Sequence, residues 1–176
     1  MTANRDHRVL YLVCCAAPPA LRITTGIHAA QAAGWDVCLI LTPYAHRWLE
    51  DDVTTLHELT GHPVRHQYKL PQEPDVLPPP DAVLVAPATF NTLNKWAAGT
   101  ADTLALGLIT EAIGLGLPIV ALPHINAAQA AHPALDRSVA TLRGAGVTVL
   151  LGEGGHDPHA PQQGTFPWQE AIGALA

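Results

Sequence analysis

One stretch of this chain carries side chains suited to holding a small ligand. It is Pro87-Ala88-Thr89-Phe90-Asn91-Thr92, continuing through Lys95 to Asp102, and it follows the apolar run 82–86. A strand end, a short loop of small and amide side chains, then a helix N-terminus is where open α/β sheets bind ligands. Thr89, Asn91 and Thr92 offer hydroxyl and amide groups that suit a flat, hydrogen-bonding ring with one phosphate. The same residues also fit a simpler role, with Thr89 capping a helix and Asn91 satisfying a turn. There is no Gly-x4-Gly-Lys-Ser/Thr loop, and the first turn, 14–19, has no Gly-x-Gly-x-x-Gly. A triphosphate or standard dinucleotide site is therefore disfavoured.

The other reactive side chains read more plainly. His156-Asp157-Pro158-His159 spaces two imidazoles three apart, but Pro158 and the neighbouring glycines make a solvated flap that covers substrate, and no metal is expected. Cys14, Cys15 and Cys38 sit in apolar runs and read as buried, reduced thiols of a cytoplasmic protein; adjacent Cys14 and Cys15 lack zinc-ligand spacing. Trp35, Trp48, Trp96 and Trp168 read as core or interface residues.

The elements that must position these residues alternate regularly. Strands are expected over 8–15, 36–42, 82–86, 117–122 and 146–151, with a short one over 63–68. Helices are expected over 21–33, 43–48, 53–59, 91–98, 103–113, 127–131, 133–144 and 166–176. Thr42 before Pro43 reads as an N-cap, and Gly34 and Gly61 as helix stops. Five prolines within residues 70–80 forbid a helix there, so that segment reads as an extended surface connection. The alternation predicts an α/β fold, a parallel sheet with helices on both faces, in one domain over 1–176 with a flexible flap at 152–164 and a tail at 165–176.

Composition bounds the function. Of 176 residues 48% are hydrophobic and 14% charged, enough for one core with surface left to bury between subunits. The net charge of −6 and nine Lys and Arg without a basic run argue against nucleic acid or an anionic membrane as partner. No apolar run reaches the length of a membrane span, and the polar start, 1–8, does not read as a signal peptide.

The order of residues in 87–102 resembles the Pro-Ala-Ser-Ala-Asn-Thr motif, with its trailing Lys-x-Ala-x-Gly-x-x-Asp, of the homo-oligomeric flavin-containing cysteine decarboxylases. That family includes phosphopantothenoylcysteine decarboxylases and enzymes that oxidatively decarboxylate a C-terminal cysteine of a peptide. The resemblance runs from about 8 to 151. It implies a Rossmann-like, flavodoxin-type subunit, bound FMN, and trimers that can assemble into dodecamers, with FMN at a subunit interface. It implies Pro87, Ala88, Thr89, Asn91, Thr92 and Asp102 as cofactor-binding residues. Thr42 joins them from Thr42-Pro43-Tyr44-Ala45-His46-Arg47-Trp48, which resembles Thr-Lys-Ser-Ala-x-x-Phe with Tyr44 at the Ser. Ala16 joins them from the first turn, Cys15-Ala16-Ala17-Pro18-Pro19, which has lost the family's Gly and Ser.

Pro123-His124-Ile125-Asn126, with Pro133 beyond, resembles Pro-Ala-Met-Asn-x-x-Met-Trp-x-x-Pro. The resemblance implies Asn126 as the group that receives the substrate carboxylate. His124 and Gln129 join it as substrate-binding residues, Gln129 and Ala130 replacing the Met and Trp. The family's catalytic His falls on Glu73, which leaves His66 or His124 as the acid/base, or an enzyme that lacks one. His62 is the other nearby upstream imidazole. The flap 152–156 has no Cys, which disfavours the pantothenate reaction. The expected activity is FMN-dependent oxidative decarboxylation of a peptide's C-terminal cysteine or a similar thiol acid. A non-catalytic FMN-binding regulator or partner subunit is the alternative, and a flavin prenyltransferase is weaker still.

Overall fold

The computed structural model describes residues 8–152, 155–158 and 166–175. Five parallel strands form one sheet: β1 (Arg8–Cys14), β2 (Trp35–Leu41), β3 (Ala82–Ala88), β4 (Ile119–Pro123) and β5 (Thr148–Val149), in the order β2-β1-β3-β4-β5. This is the flavodoxin-like order, whose chain direction switches between β1 and β3 and opens a crevice at their carboxyl ends. The expected α/β, Rossmann-like architecture is therefore the one observed.

Both faces of the sheet are apolar because helices cover both. Along β1, Leu10, Leu12 and Cys14 point into one core, while Val9, Tyr11 and Val13, and Cys15 just beyond the strand, point into the other. The first core takes Ile23 and Ile27 of α1 (Ile23–Ala32), Leu56 of α3 (Val53–Thr60) and Trp168 of α8 (Trp168–Gly173). The second takes Leu93 and Trp96 of α4 (Phe90–Ala97), Ile109 of α5 (Leu104–Gly114) and Leu135 of α7 (Pro133–Gly144). Two short helices, α2 (Pro43–Trp48) and α6 (Ala127–Ala130), stand at the carboxyl ends of β2 and β4.

Three elements differ from the sequence expectation. β5 has two residues rather than the six of 146–151, because the Val147 amide is taken by Leu142 C=O at the end of α7 and Gly152 turns the chain at φ +93. The stretch 63–68 contributes only a bridge between Arg65 and Ile40, since Pro63 has no donor for a ladder. The helix foreseen over 21–33 begins as a 3₁₀ turn at Pro18–Arg22 and becomes α-helical at Ile23. The proline-rich segment is irregular, as expected, and crosses the sheet with Leu77 packed on the second core and Tyr11 Oη donating to Pro78 C=O at 2.9 Å.

Candidate functional site

The loops after β1, β2, β3 and β4 converge at the switch point. Together they enclose a cavity of about 920 Å³, near the top of the range for small-molecule sites. Backbone bonds between loops hold it. Cys15 N–H donates to Pro87 C=O at 3.1 Å, Thr42 N–H to Cys14 C=O at 3.0 Å and His124 N–H to Ala88 C=O at 2.8 Å. Pro87 and Ala88 are buried in β3 and tie the neighbouring loops together rather than lining the cavity.

Ala16, Thr42, Thr89, Asn91 and Thr92 all line the cavity. Thr89 does what a helix-capping Thr does: its Oγ1 accepts from Thr92 N–H at 3.3 Å. Thr42 caps α2 in the same way, accepting from Ala45 N–H at 3.4 Å. One hydroxyl offers a donor and two lone pairs; Thr89 spends its donor on Thr92 Oγ1 at 3.1 Å, so capping leaves it a lone pair for lining. Asn91 stands exposed in the first turn of α4, and Thr92 is buried, its Oγ1 accepting from Cys15 Sγ at 3.3 Å. Asp102 does not line the cavity. It pairs with Lys95 at 2.7 Å, and Lys95 does.

On the facing side, His124, Asn126 and Gln129 line the same cavity. Asn126 caps α6 as half of a capping box: its Oδ1 accepts from Gln129 N–H at 2.8 Å, and Gln129 Oε1 accepts from Asn126 N–H at 3.3 Å. The cap uses the carbonyl oxygen of Asn126, so the amide N–H groups are what it can offer a ligand.

His66 is elsewhere. It does not line the cavity, and its ring stacks on His46 of α2 with centroids 3.6 Å apart. Glu73 is spent locally, its Oε2 accepting from Leu70 N–H at 2.8 Å to close a turn. His62 pairs with Asp36 at 2.7 Å. His156, read from sequence as part of a solvated flap, is instead 6% exposed, with its Nε2 2.6 Å from Ile125 C=O. Of the flap 152–164, residues 153–154 and 159–164, His159 among them, lie outside the described residues.

The lining among the described residues contains no Asp or Glu, and its cationic side chain is Lys95. Such a donor-rich cavity without carboxylates fits an anionic ligand with a hydrogen-bonding ring. Tyr44, Trp48 and Phe90 also line it, and Tyr44 and Trp48 are exposed. Their spacing of four on a helix opened by a site Thr places them on one face, a signal the sequence already carried. Cys14 and Cys15 are fully buried, and burial raises both thiols, so neither is a reactive thiolate. Among the described residues no three His, Cys, Asp or Glu converge as a metal site, and no helix is long and apolar enough to cross a membrane.

Two results are expected from these local structures. Thr89→Ala removes the α4 cap and costs about 1 kcal/mol in denaturant unfolding; an unchanged midpoint would show the cap to be idle. The second concerns pH. Burial lowers the pKa of His156 below its ordinary value, with His124 adding to the lowering, against the Ile125 hydrogen bond and, more weakly, Asp157. Burial, then His46 and Arg65, lower that of His66. The unfolded chain thus binds more protons, so stability falls as pH drops through the ordinary histidine value toward the depressed ones. A melting temperature that stays level from pH 7.5 to 5.5 would contradict this, and His156→Gln should flatten part of the slope.

The profile of the family described as Flavoprotein matches residues 2–173. The coenzyme A biosynthesis bifunctional protein CoaBC of Mycolicibacterium smegmatis (strain ATCC 700084 / mc(2)155) is 30% identical over 165 residues, 89% of this chain and 38% of that protein. A cysteine/cysteine sulfinic acid decarboxylase from an unknown prokaryotic organism is 38% identical over 70 residues, 40% of this chain and 19% of that protein. The chain thus spans well under half the length of these curated relatives. Among solved structures, the cypemycin decarboxylase CypD superposes with a TM-score of 0.72 at 22% identity, covering 97% of this chain and 92% of that one, a likeness of fold.

Proposed function

This chain belongs to the Flavoprotein family, and from that membership we propose that it is an FMN-dependent enzyme that oxidatively decarboxylates the C-terminal cysteine of a peptide or a similar cysteinyl thiol acid. The cofactor of the family is a flavin; FMN is the form this reading adopts. The observation that carries it is the cavity itself, which sets Asn126 across from Thr42, Thr89, Asn91 and Thr92 on the switch-point loops.

Thr42, Thr89, Asn91, Thr92 and the Ala16 backbone would hold the flavin. Lys95, paired with Asp102, would add a partly compensated positive charge. When bound, the flavin supplies the oxidant that takes two electrons from the Cβ–thiol unit, so that loss of CO2 from the resulting thioaldehyde leaves an enethiolate. Asn126 donates to the substrate carboxylate without neutralising it, which keeps it able to leave as CO2. His124 accepts the thiol proton and returns it to the enethiolate sulfur, so it ends each cycle as it began. Gln129 holds the Asn126 backbone while this happens.

The test is direct. Flavin-loaded protein is incubated with short peptides ending in cysteine and read by mass spectrometry. The expected product is lighter by about 46 Da, from CO2 and two hydrogens. Phosphopantothenoylcysteine is the control substrate, because the family also contains pantothenate enzymes. Loss of mass from that compound alone would reassign the reaction.

A second reading has its own observation. Glu73, on which the resemblance places the family's catalytic His, is committed to a turn and lies outside the cavity. That favours a flavin-binding regulator or partner subunit. Bound flavin with no mass change in any substrate would select it. Assembly into trimers belongs to the first reading and is supported by Tyr44 and Trp48, exposed at the cavity. Sedimentation of a flavin-loaded monomer would remove that part.

A further inference from the structure

The segment after β5 carries an imidazole that the mechanism above does not use, and it is not on the surface. Leu150 N–H continues the ladder to Ala121 C=O at 2.9 Å, and Gly152 then turns the chain at φ +93. Gly155 N–H returns to Gly152 C=O at 3.1 Å, and a Cβ on Gly155 would collide with the Leu150 carbonyl. His156 N–H then reaches Leu150 C=O at 3.3 Å, and Gly152 N–H reaches His156 C=O at 2.9 Å. With these contacts made, the His156 side chain faces inward and is 6% exposed.

What it reaches is the loop that carries Asn126. The carbonyl of Ile125 can only accept, so His156 Nε2 carries the proton in the 2.6 Å contact between them. Ile125 C=O and Asn126 N–H belong to one peptide unit. Its N–H end is bonded to Gln129 Oε1 at 3.3 Å, so both ends of that plane are held, one from α6 and one from the segment after β5. The His156 ring also lies against His124, with centroids 4.7 Å apart and planes tilted 35°. His124 in turn meets Phe166 at 6.0 Å, and Pro158, two residues beyond His156, lines the cavity. His156 therefore touches His124 with its ring and, through Nε2, the carbonyl of Ile125, the residue that joins His124 to Asn126.

We infer that His156 is the positioning residue of the carboxylate-binding loop: it fixes the 125–126 peptide, and with it Asn126, while its ring backs His124. The inference rests on the decarboxylase reading for its kinetic consequence, and on geometry alone for its structural one. A peptide plane held at one end only can rotate, and a small rotation there swings the Asn126 amide away from the substrate carboxylate. No proton transfer by His156 is required.

Three variants of the full chain, loaded with flavin, test this. His156→Gln keeps an N–H donor without a titrating ring. His156→Phe keeps the ring against His124 without the donor. His156→Asn keeps a polar group too short to span the gap, and guards against failure of the Phe variant to fold. On a cysteine-ending peptide, the Phe and Asn variants should lose roughly ten- to a hundredfold in kcat/KM, chiefly through KM. The Gln variant should stay within about threefold of the parent, with flavin affinity unchanged in all three. Hydrogen exchange of the Asn126 backbone amide supplies a readout that needs no turnover: it should speed up in the Phe and Asn variants and not in the Gln variant. Unchanged exchange in all three would overturn the positioning role whether or not the protein turns over. A protein that turns over nothing but shows the exchange pattern would keep it and sink the decarboxylase reading instead. Equal kinetic losses in all three variants would also overturn it.

Discussion

Asn126→Asp is expected to abolish decarboxylation while leaving α6 folded. The cap of α6 uses a side-chain oxygen, which accepts from Gln129 N–H at 2.8 Å. Aspartate presents the same oxygen at the same place, and a carboxylate at a helix N-terminus is if anything a better cap. What it loses is the N–H pair, and what it adds is a negative charge facing the carboxylate it should bind. Losing one donor aimed at a charged group costs about a hundred- to a thousandfold in rate, and the like charge adds to that. Asn126→Ala makes the complementary case. It removes the donor without adding charge, but it also removes the cap, at about 1 kcal/mol of local stability. The two variants should therefore rank oppositely, Asp worse in turnover and Ala worse in melting temperature. Measuring both on flavin-loaded protein separates recognition from folding. An Asp variant with turnover near the parent's would remove Asn126 from the substrate site.

The largest expected effect on stability lies where α8 docks on α1. Trp168 is 5% exposed, meets Phe166 edge-on at 4.9 Å, and lies over Gly26 in the middle of α1. A Cβ at Gly26 would sit 2.6 Å from the indole ring, closer than such atoms approach. Two magnitudes compete in Gly26→Ala. Helix propensity favours Ala over Gly by about 1 kcal/mol. Displacing a buried Trp costs about 3–5 kcal/mol, judged from Trp truncations in cores. Packing wins, so Gly26→Ala should destabilise by about 2–4 kcal/mol, the difference of those two. In a Trp168→Ala background the obstacle is gone, and the same substitution should stabilise by up to about 1 kcal/mol. This reversal of sign in a double-mutant cycle is the specific signature. Two effects of the same sign would mean that the indole does not hold α8 on Gly26.

Some of this structure was legible residue by residue. The strands of the sheet read from the apolar runs around Leu10, Leu39, Val83 and Val120, because parallel strands covered on both faces need no polar alternation. Thr42 and Thr89 read as caps because a cap is a bond between residues three apart, and Pro133–Gly144 was foreseen to the residue. The resemblance of 87–102 to a family motif depended on residue order in one contiguous segment, and the family it pointed to is the one whose profile matches.

Other positions could not be read that way. Pro87 and Ala88 stand in the motif, yet their carbonyls serve the loops of β1 and β4, partners more than thirty residues away in sequence. His66 and His124 were equal candidates from sequence. Only the structure brings His124 to the cavity and stacks His66 on His46 outside it. His156 was misplaced altogether, because glycines and a proline around a His read as solvent-exposed loop. Its burial comes from Gly155 passing close to Leu150 and from the Ile125 carbonyl waiting across β4.

The sequence by itself determined the α/β class and the helix caps. Each of these depends on interactions within a few residues or on the period of apolar side chains, and both are written in the local order. The tertiary structure alone decided which imidazole joins Asn126, which carbonyls brace the cavity, and where the segment after β5 goes. Those depend on contacts between segments distant in the chain. The energy that makes them comes from burying groups together, and local order does not record which groups will meet.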